Sequence, residues 1–290
     1  MKPTARYTGF VCVFASAAIF GFTPVLAALS YHGGNNGLNM AFLRALLPLP
    51  VFFVLAKQDG GVKPLPEQRR MGTLLGFLLF GCILLLYSSY AYLPVGVATA
   101  LHFLYPLYVT CYEMLAQKAH KSVLQLIGLG LSLAGALLFI ELGEAGMPWQ
   151  GLALALLSGV CYAAYVIMLA REARHPLPLP RLMLIVSTTG AVFLAAIGLL
   201  TKRLTFCLSP VAWVCAGAAA LLTAVVGCIL FQIGVRRVGK TNAAVFSLME
   251  PICGILFGLW LMNDRLPPRS LTSCVLIVAG LLCIALSERR

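Results

Sequence analysis

The sequence predicts an all-α membrane protein, with ten transmembrane helices arranged as two inverted five-helix repeats. Three observations lead there. Of 290 residues, 61% are hydrophobic and 10% charged, with a mean hydropathy of +0.95. A soluble domain carries about 25% charge and about 45–50% apolar residues, so an ordinary water-soluble enzyme is excluded, as is disorder. The apolar residues gather into runs long enough to cross a bilayer, which takes about 20 residues as helix. The two halves of the chain also resemble each other, and each holds an odd number of runs.

The ten runs are roughly 8–30, 37–56, 71–92, 95–116, 122–142, 148–170, 180–201, 211–233, 240–262 and 269–287. Each is too long for a barrel strand and apolar on all faces, so helix is the expected form. The first has Lys2 and Arg6 ahead of it, as a signal peptide would. Its apolar stretch exceeds the roughly 7–15 residues of a signal core, and it reads as an uncleaved helix 1. The connections are short, and the longest, 57–70, is polar with Pro64 and Pro66. Most of the ten cysteines lie inside apolar runs without a CxxC pair, which suits free thiols acting as small hydrophobes.

Net charge is +12, from 21 Lys and Arg against 9 Asp and Glu. The basic residues lie between the apolar runs instead of forming a nucleic-acid patch. With the N-terminus inside, only Lys202, Arg203, Arg265 and Arg269 fall in outer segments. Arg44 lies within helix 2, and every other Lys and Arg falls inside. That asymmetry is the signature of membrane topology. It places both termini in the cytoplasm and the protein in the plasma membrane, embedded in the lipid bilayer.

Shifting the chain by 145 residues overlays helices 3–5 on helices 8–10 without a gap. Ala98 then meets Ala243, Pro106 meets Pro251, Ala134 meets Ala279 and Gly135 meets Gly280. The expected units are 1–145 and 146–290. Five helices per unit invert the second relative to the first, a recurring plan of secondary transporters.

These residues resemble the drug/metabolite transporter superfamily, in its ten-helix EamA-type branch. Helix 1 carries Ala17-Ala18-Ile19-Phe20-Gly21-Phe22, with an aromatic-Gly pair, and helix 2 carries Phe42-Leu43-Arg44. The second half carries Met249-Glu250-Pro251, Asn263-Asp264-Arg265-Leu266 and Val278-Ala279-Gly280. The first half departs from the pattern: Tyr105-Pro106 keeps the proline, and Lys118-Ala119-His120 replaces the acidic-Arg-Leu turn. The resemblance implies a carrier of small metabolites, with a central cavity lined by helices 1, 3, 4, 6, 8 and 9.

Glu250 is the foremost site candidate. A carboxyl near mid-helix costs about 2.5–3.5 kcal/mol on insertion scales, and such groups face a cavity or a partner. Pro251 beside it frees a backbone carbonyl upstream. The competing reading is a protonated Glu250 bonded to a neighbouring helix and pinning the kink. Tyr105 holds the position of Glu250 in the other half, one turn after His102. His102, Tyr105, Val109 and Tyr112 share one helical face. Tyr87 aligns with Gln232, and Tyr162 and Tyr165 lie one turn apart in helix 6. Together they suit an aromatic cavity with a few polar handles, against the alternative of ordinary packing with Tyr90, Tyr92 and Trp149 in an interfacial belt. Arg44 would hold a carboxylate, or would snorkel from the outer third of helix 2. Pro106 and Pro251 are candidate paired gating kinks. Gly254 and Gly258 suit close helix packing.

Residues 234–241 match the nucleotide-binding pattern G-x-x-x-x-G-K-[ST] letter for letter. That pattern needs a preceding strand and a soluble helix, whereas here it joins two membrane helices. No cofactor or metal is expected. The expected function is secondary transport of a small-molecule substrate, an amino acid or organic amine, with protons or a counter-substrate as possible driving partners. A channel would show a charge ring or carbonyl filter, and an intramembrane enzyme a nucleophile–base pair or metal cluster.

Overall fold

The computed structural model describes residues 3–59, 61, 66–116, 122–141, 148–172, 178–238, 249–262 and 268–287. Among them the regular structure is helical throughout. α1 (Pro3–Tyr31) contains Pro24, whose missing N–H leaves the Phe20 carbonyl without its helical donor. α2 (Gly37–Leu46) starts where the Asn36 side chain accepts from the Asn39 N–H at 2.9 Å, an N-cap bond. It ends at Leu47–Pro48, and α3 (Leu49–Gln58) continues the same span. Pro48 and Pro50 withhold the N–H groups that the Arg44 and Leu46 carbonyls would need, so the break follows from sequence.

α4 (Pro66–Ser89) is uninterrupted. α5 (Val95–His102) and α6 (Tyr105–Ala116) share one span but part at Phe103–Leu104, because the ring of Pro106 excludes a helical bond to the His102 carbonyl. α7 (Val123–Glu141), α8 (Trp149–Glu172) and α9 (Leu179–Thr201) follow. α10 (Pro210–Leu221) and α11 (Cys228–Val238) are joined through a π-helical turn, Leu222–Gly227. α12 (Met249–Leu261) and α13 (Pro268–Ser287) end the bundle.

Seven helical spans are long and apolar enough to cross a membrane, and three shorter apolar helices lie at 123–135, 252–261 and 271–284. Expected helices 2 and 4 are thus each broken, and helix 8 carries a π turn. Of expected helix 9, residues 240–248 lie outside the described residues. Large apolar side chains such as Val192, Leu200, Val214 and Trp260 are exposed on the outside of the bundle. An apolar surface of that extent marks contact with lipid.

The packing repeats between the halves. α1 lies against α11 and α12, and α8 lies against α4, α5 and α6. α4 packs on α9, and α10 packs on α2. The tightest pair is α7 with α13. A Cβ on Gly135 would come within 2.8 Å of the Ser273 carbonyl oxygen, and one on Gly280 within 2.5 Å of the Gly128 carbonyl oxygen. Those two contacts exchange under a shift of 145 residues, as partners do across a two-fold axis. Small residues let the two backbones close, since lipid supplies no hydrophobic drive between helices.

Candidate functional site

The breaks bring side chains from both halves together. Arg44 sits in the last turn of α2, where the freed carbonyls favour a cation. It does not snorkel. Its Nη1 donates to the Tyr87 hydroxyl at 2.7 Å, and its guanidinium carbon lies 5.7 Å from the Tyr87 ring centroid. Burying an Arg requires such a partner. Tyr87 in turn is 1% exposed, its ring lies 5.7 Å from that of Tyr90 in a tilted pair, and its backbone carbonyl accepts from the Tyr31 hydroxyl at 2.6 Å.

His102 ends α5 and is 8% exposed. Its ring lies 5.3 Å from that of Tyr162 and 6.2 Å from that of Tyr105. Tyr105 and Tyr162 meet edge to face at 4.7 Å, and Tyr162 stacks on Tyr165 at 5.6 Å. The helix break puts His102 and Tyr105 on different helices, so the single face expected from continuous helical spacing does not exist. Their rings converge all the same. They pack on one another, as apolar rings do at native density.

Glu250 lies in the first turn of α12, half-buried. α1 approaches it closely: a Cβ on Gly21 would meet the Glu250 carbonyl oxygen at 2.6 Å. Glu250 is within Coulombic reach of Arg44 and of Tyr162, and Arg44 also reaches His102. Among the described residues no ion pair joins Arg44 to Glu250. Arg44 and Glu250 therefore lie near each other without direct contact, with the aromatic cluster within reach of both. Phe22 and Phe257 add an edge-to-face pair at 5.2 Å where α1 meets α12.

The remaining candidates are placed as follows. Gln232 is half-buried in α11, one turn after Cys228, which Arg44 reaches electrostatically. Pro106 follows the break in α5–α6. Pro251 falls in the first turn of α12, and the turn it would kink lies outside the described residues. Tyr90 is buried, so it does not belong to an interfacial belt, whereas Tyr92 and Trp149 are exposed. Gly234 lies within α11, so the nucleotide-binding pattern begins in a helix. Among the described residues no three His, Cys, Asp or Glu side chains gather as a metal site requires.

Sequence reasoning missed two features. Ser158 of α8 pairs with His102 at 3.0 Å; its position one turn before Tyr162 was the available signal. At one end of the bundle, buried Asn35 donates to the Ser30 hydroxyl at 2.8 Å, and buried Asn39 donates to the Asn35 amide oxygen at 2.8 Å. Asn36 donates to the Arg203 carbonyl at 2.8 Å, and Ser209 N–H to the Gly33 carbonyl at 3.0 Å. These bonds lock residues 32–36 against 203–209. Three asparagines within five residues at the edge of a run were the sign.

Comparison with known proteins agrees with this architecture. A model of the EamA-like transporter family matches twice, at residues 7–140 and 149–286. An uncharacterized transporter of Archaeoglobus fulgidus is 26% identical over 96% of each chain. An uncharacterized transporter of Synechocystis is 28% identical over 61% of this chain, and the match spans 54% of that relative. The threonine/homoserine exporter RhtA of Escherichia coli is 26% identical over 77% of this chain and 74% of its own. A solved crystal structure superposes with a TM-score of 0.68 over 98% of both chains at 16% identity, which speaks for the fold alone. This is a multi-pass membrane protein, and it belongs to the EamA-like transporter family.

Proposed function

We propose that the protein is a secondary transporter of small amino acids or organic amines in the plasma membrane. The chain crosses ten times, with both termini in the cytoplasm. Units 1–145 and 146–290 are inverted copies that rock around the central cluster. One observation carries this reading: Arg44 from the first unit and Glu250 from the second come within electrostatic reach of each other without forming an ion pair. A zwitterion supplies the missing counter-charges, its carboxylate toward Arg44 and its ammonium toward Glu250. Arg is suited to this, since its planar fork binds carboxylates in bidentate fashion. Tyr105 and Tyr162 add cation–π attraction for the ammonium, about 0.5–2 kcal/mol when desolvated. The family relationship supports the class, and the relative named for threonine and homoserine export supports the cargo chemistry.

The asparagine lock then lies on the outer side, and its bonds must open when the site faces outward. Broken helices at Leu47–Pro48 and Phe103–Leu104 provide the hinges. Uphill transport draws on protons or on exchange with a counter-substrate.

The test is counterflow of radiolabelled amino acids into proteoliposomes, alongside thermal shift in detergent. A bound amino acid or amine raises apparent stability by mass action. Saturable counterflow for at least one amino acid or amine, lost in Glu250→Gln, is the expected result. If no amino acid or amine is carried or stabilises the protein, the reading is wrong.

A further inference from the structure

Two buried hydroxyls of the first half have nothing to bond. Tyr90 is 8% exposed and Thr99 3% exposed, and each side-chain oxygen is without a hydrogen-bond partner. A helical threonine ordinarily returns its proton to the carbonyl one turn back. Four threonines among the described residues are buried, and Thr23, Thr110 and Thr223 each make that bond at 2.6–2.9 Å. Thr99, inside α5, has the Val95 carbonyl at the same spacing and does not use it. Its methyl lies 3.5 Å from where a Cβ on Gly254 would stand, one turn after Glu250 in α12. Its hydroxyl comes within reach of that of Tyr90, just past the end of α4, but short of hydrogen-bond geometry. Unmet buried polar groups are rare in native packing, and two side by side call for a ligand that meets both.

We infer that the Tyr90 and Thr99 hydroxyls complete, with Arg44, a carboxylate-binding subsite, each donating to a carboxylate oxygen of the cargo. This rests on the proposed transport around Arg44 and Glu250. The cation within electrostatic reach of Tyr90 is Arg44. Its Nη1 donates to Tyr87, and a guanidinium fork has further donors. Two hydroxyls beside a guanidinium offer only donors to a group that has none of its own. An ionised carboxylate is such a group, with about four acceptor positions and no hydrogen to give. A cationic group there would oppose Arg44, and an apolar one would leave both hydroxyls unmet. Thr99 stands against α12 and Tyr90 beside Arg44, so the subsite forms where the two halves meet. It serves any cargo that bears a carboxylate, whatever lies beyond it.

The experiment deletes each hydroxyl with little change of shape, as Tyr90→Phe and Thr99→Val. The probes are L-alanine, L-leucine, L-phenylalanine and L-threonine, each paired with the amine that decarboxylation leaves. All are titrated as competitors of counterflow and as thermal-shift ligands on the full-length protein. Each variant should weaken the carboxylate-bearing probes about tenfold, the loss expected for a hydrogen bond to a charged group. The amines should change by less than about twofold, since they offer these hydroxyls no acceptor. Without ligand, the melting temperature should hold or rise, because the hydroxyl removed was unmet. If it falls in both variants, or either fails to fold, the hydroxyls are structural and hold a resident water, and the inference is overturned. Amino acids bound by both variants as by wild type, or binding by the amines alone, would overturn it and leave the transport reading intact. Binding by no probe of either kind would remove the transport reading and this inference together.

Discussion

The fourth apolar run of each half keeps the same proline and arrives at different chemistry. In the first half the crossing is α5–α6, broken before Pro106, with Tyr105 and His102 at the break. In the second half it is α12, where Glu250 occupies the position of Tyr105. A repeated backbone supplies two similar supports, and single side chains then divide the labour. One half offers aromatic rings and an imidazole, and the other offers the acid. Arg44 comes from the first half, so Arg44 and Glu250 come within reach of each other only when both halves are assembled. Such a site sets a few polar groups among aromatic rings.

The comparison breaks most sharply at Glu250. Truncating one member of a buried charge arrangement costs about 2–5 kcal/mol. Glu250→Gln should therefore weaken amino-acid binding by about 30-fold or more, whereas Tyr105→Phe should change it little. Counterflow titrations of both variants check this. Equal effects would mean the two halves contribute alike.

Tyr87→Phe tests the other charge. It deletes the acceptor that holds Arg44, a bond to a charged group worth about 1.5–3 kcal/mol. Affinity for an amino acid should fall by about tenfold or more, while the matching decarboxylated amine should be nearly unaffected. Thermal-shift titration of each ligand pair reads the difference.

Packing around Glu250 is the next lever. Gly21→Leu would drive a side chain into the α12 backbone, and overpacking costs about 1–3 kcal/mol. The melting temperature should fall. Gly130→Ala is the contrast, because an added Cβ there meets nothing within 4 Å; it should leave the melting temperature unchanged or slightly raised.

The smallest effect is expected at the break. Pro106→Ala restores an N–H for the His102 carbonyl and lets α5 and α6 join. Turnover should fall a few-fold with binding affinity nearly unchanged, a split that counterflow kinetics over a substrate series resolves. Affinity falling instead would assign the break to cargo binding.

Much of this was legible in the chain alone. A bilayer demands that every backbone polar group be satisfied within the crossing segment. That demand is local, so apolar run lengths and the proline positions express it directly. Glu250 stood out for the same reason, since an acid in such a run is costly wherever the run packs. Gly135 and Gly280 were legible as a repeat-related pair, and the packing adds that they let α7 close on α13. Partnership was not legible. That Arg44 turns inward to Tyr87, that Ser158 pairs with His102, and that Asn36 reaches Arg203 are contacts between residues 43 to 167 positions apart. Helices apolar on every face carry no period that tells the inner side from the lipid side. Only the packed bundle decides which side faces its neighbours, because there the few polar side chains must find one another or go unsatisfied.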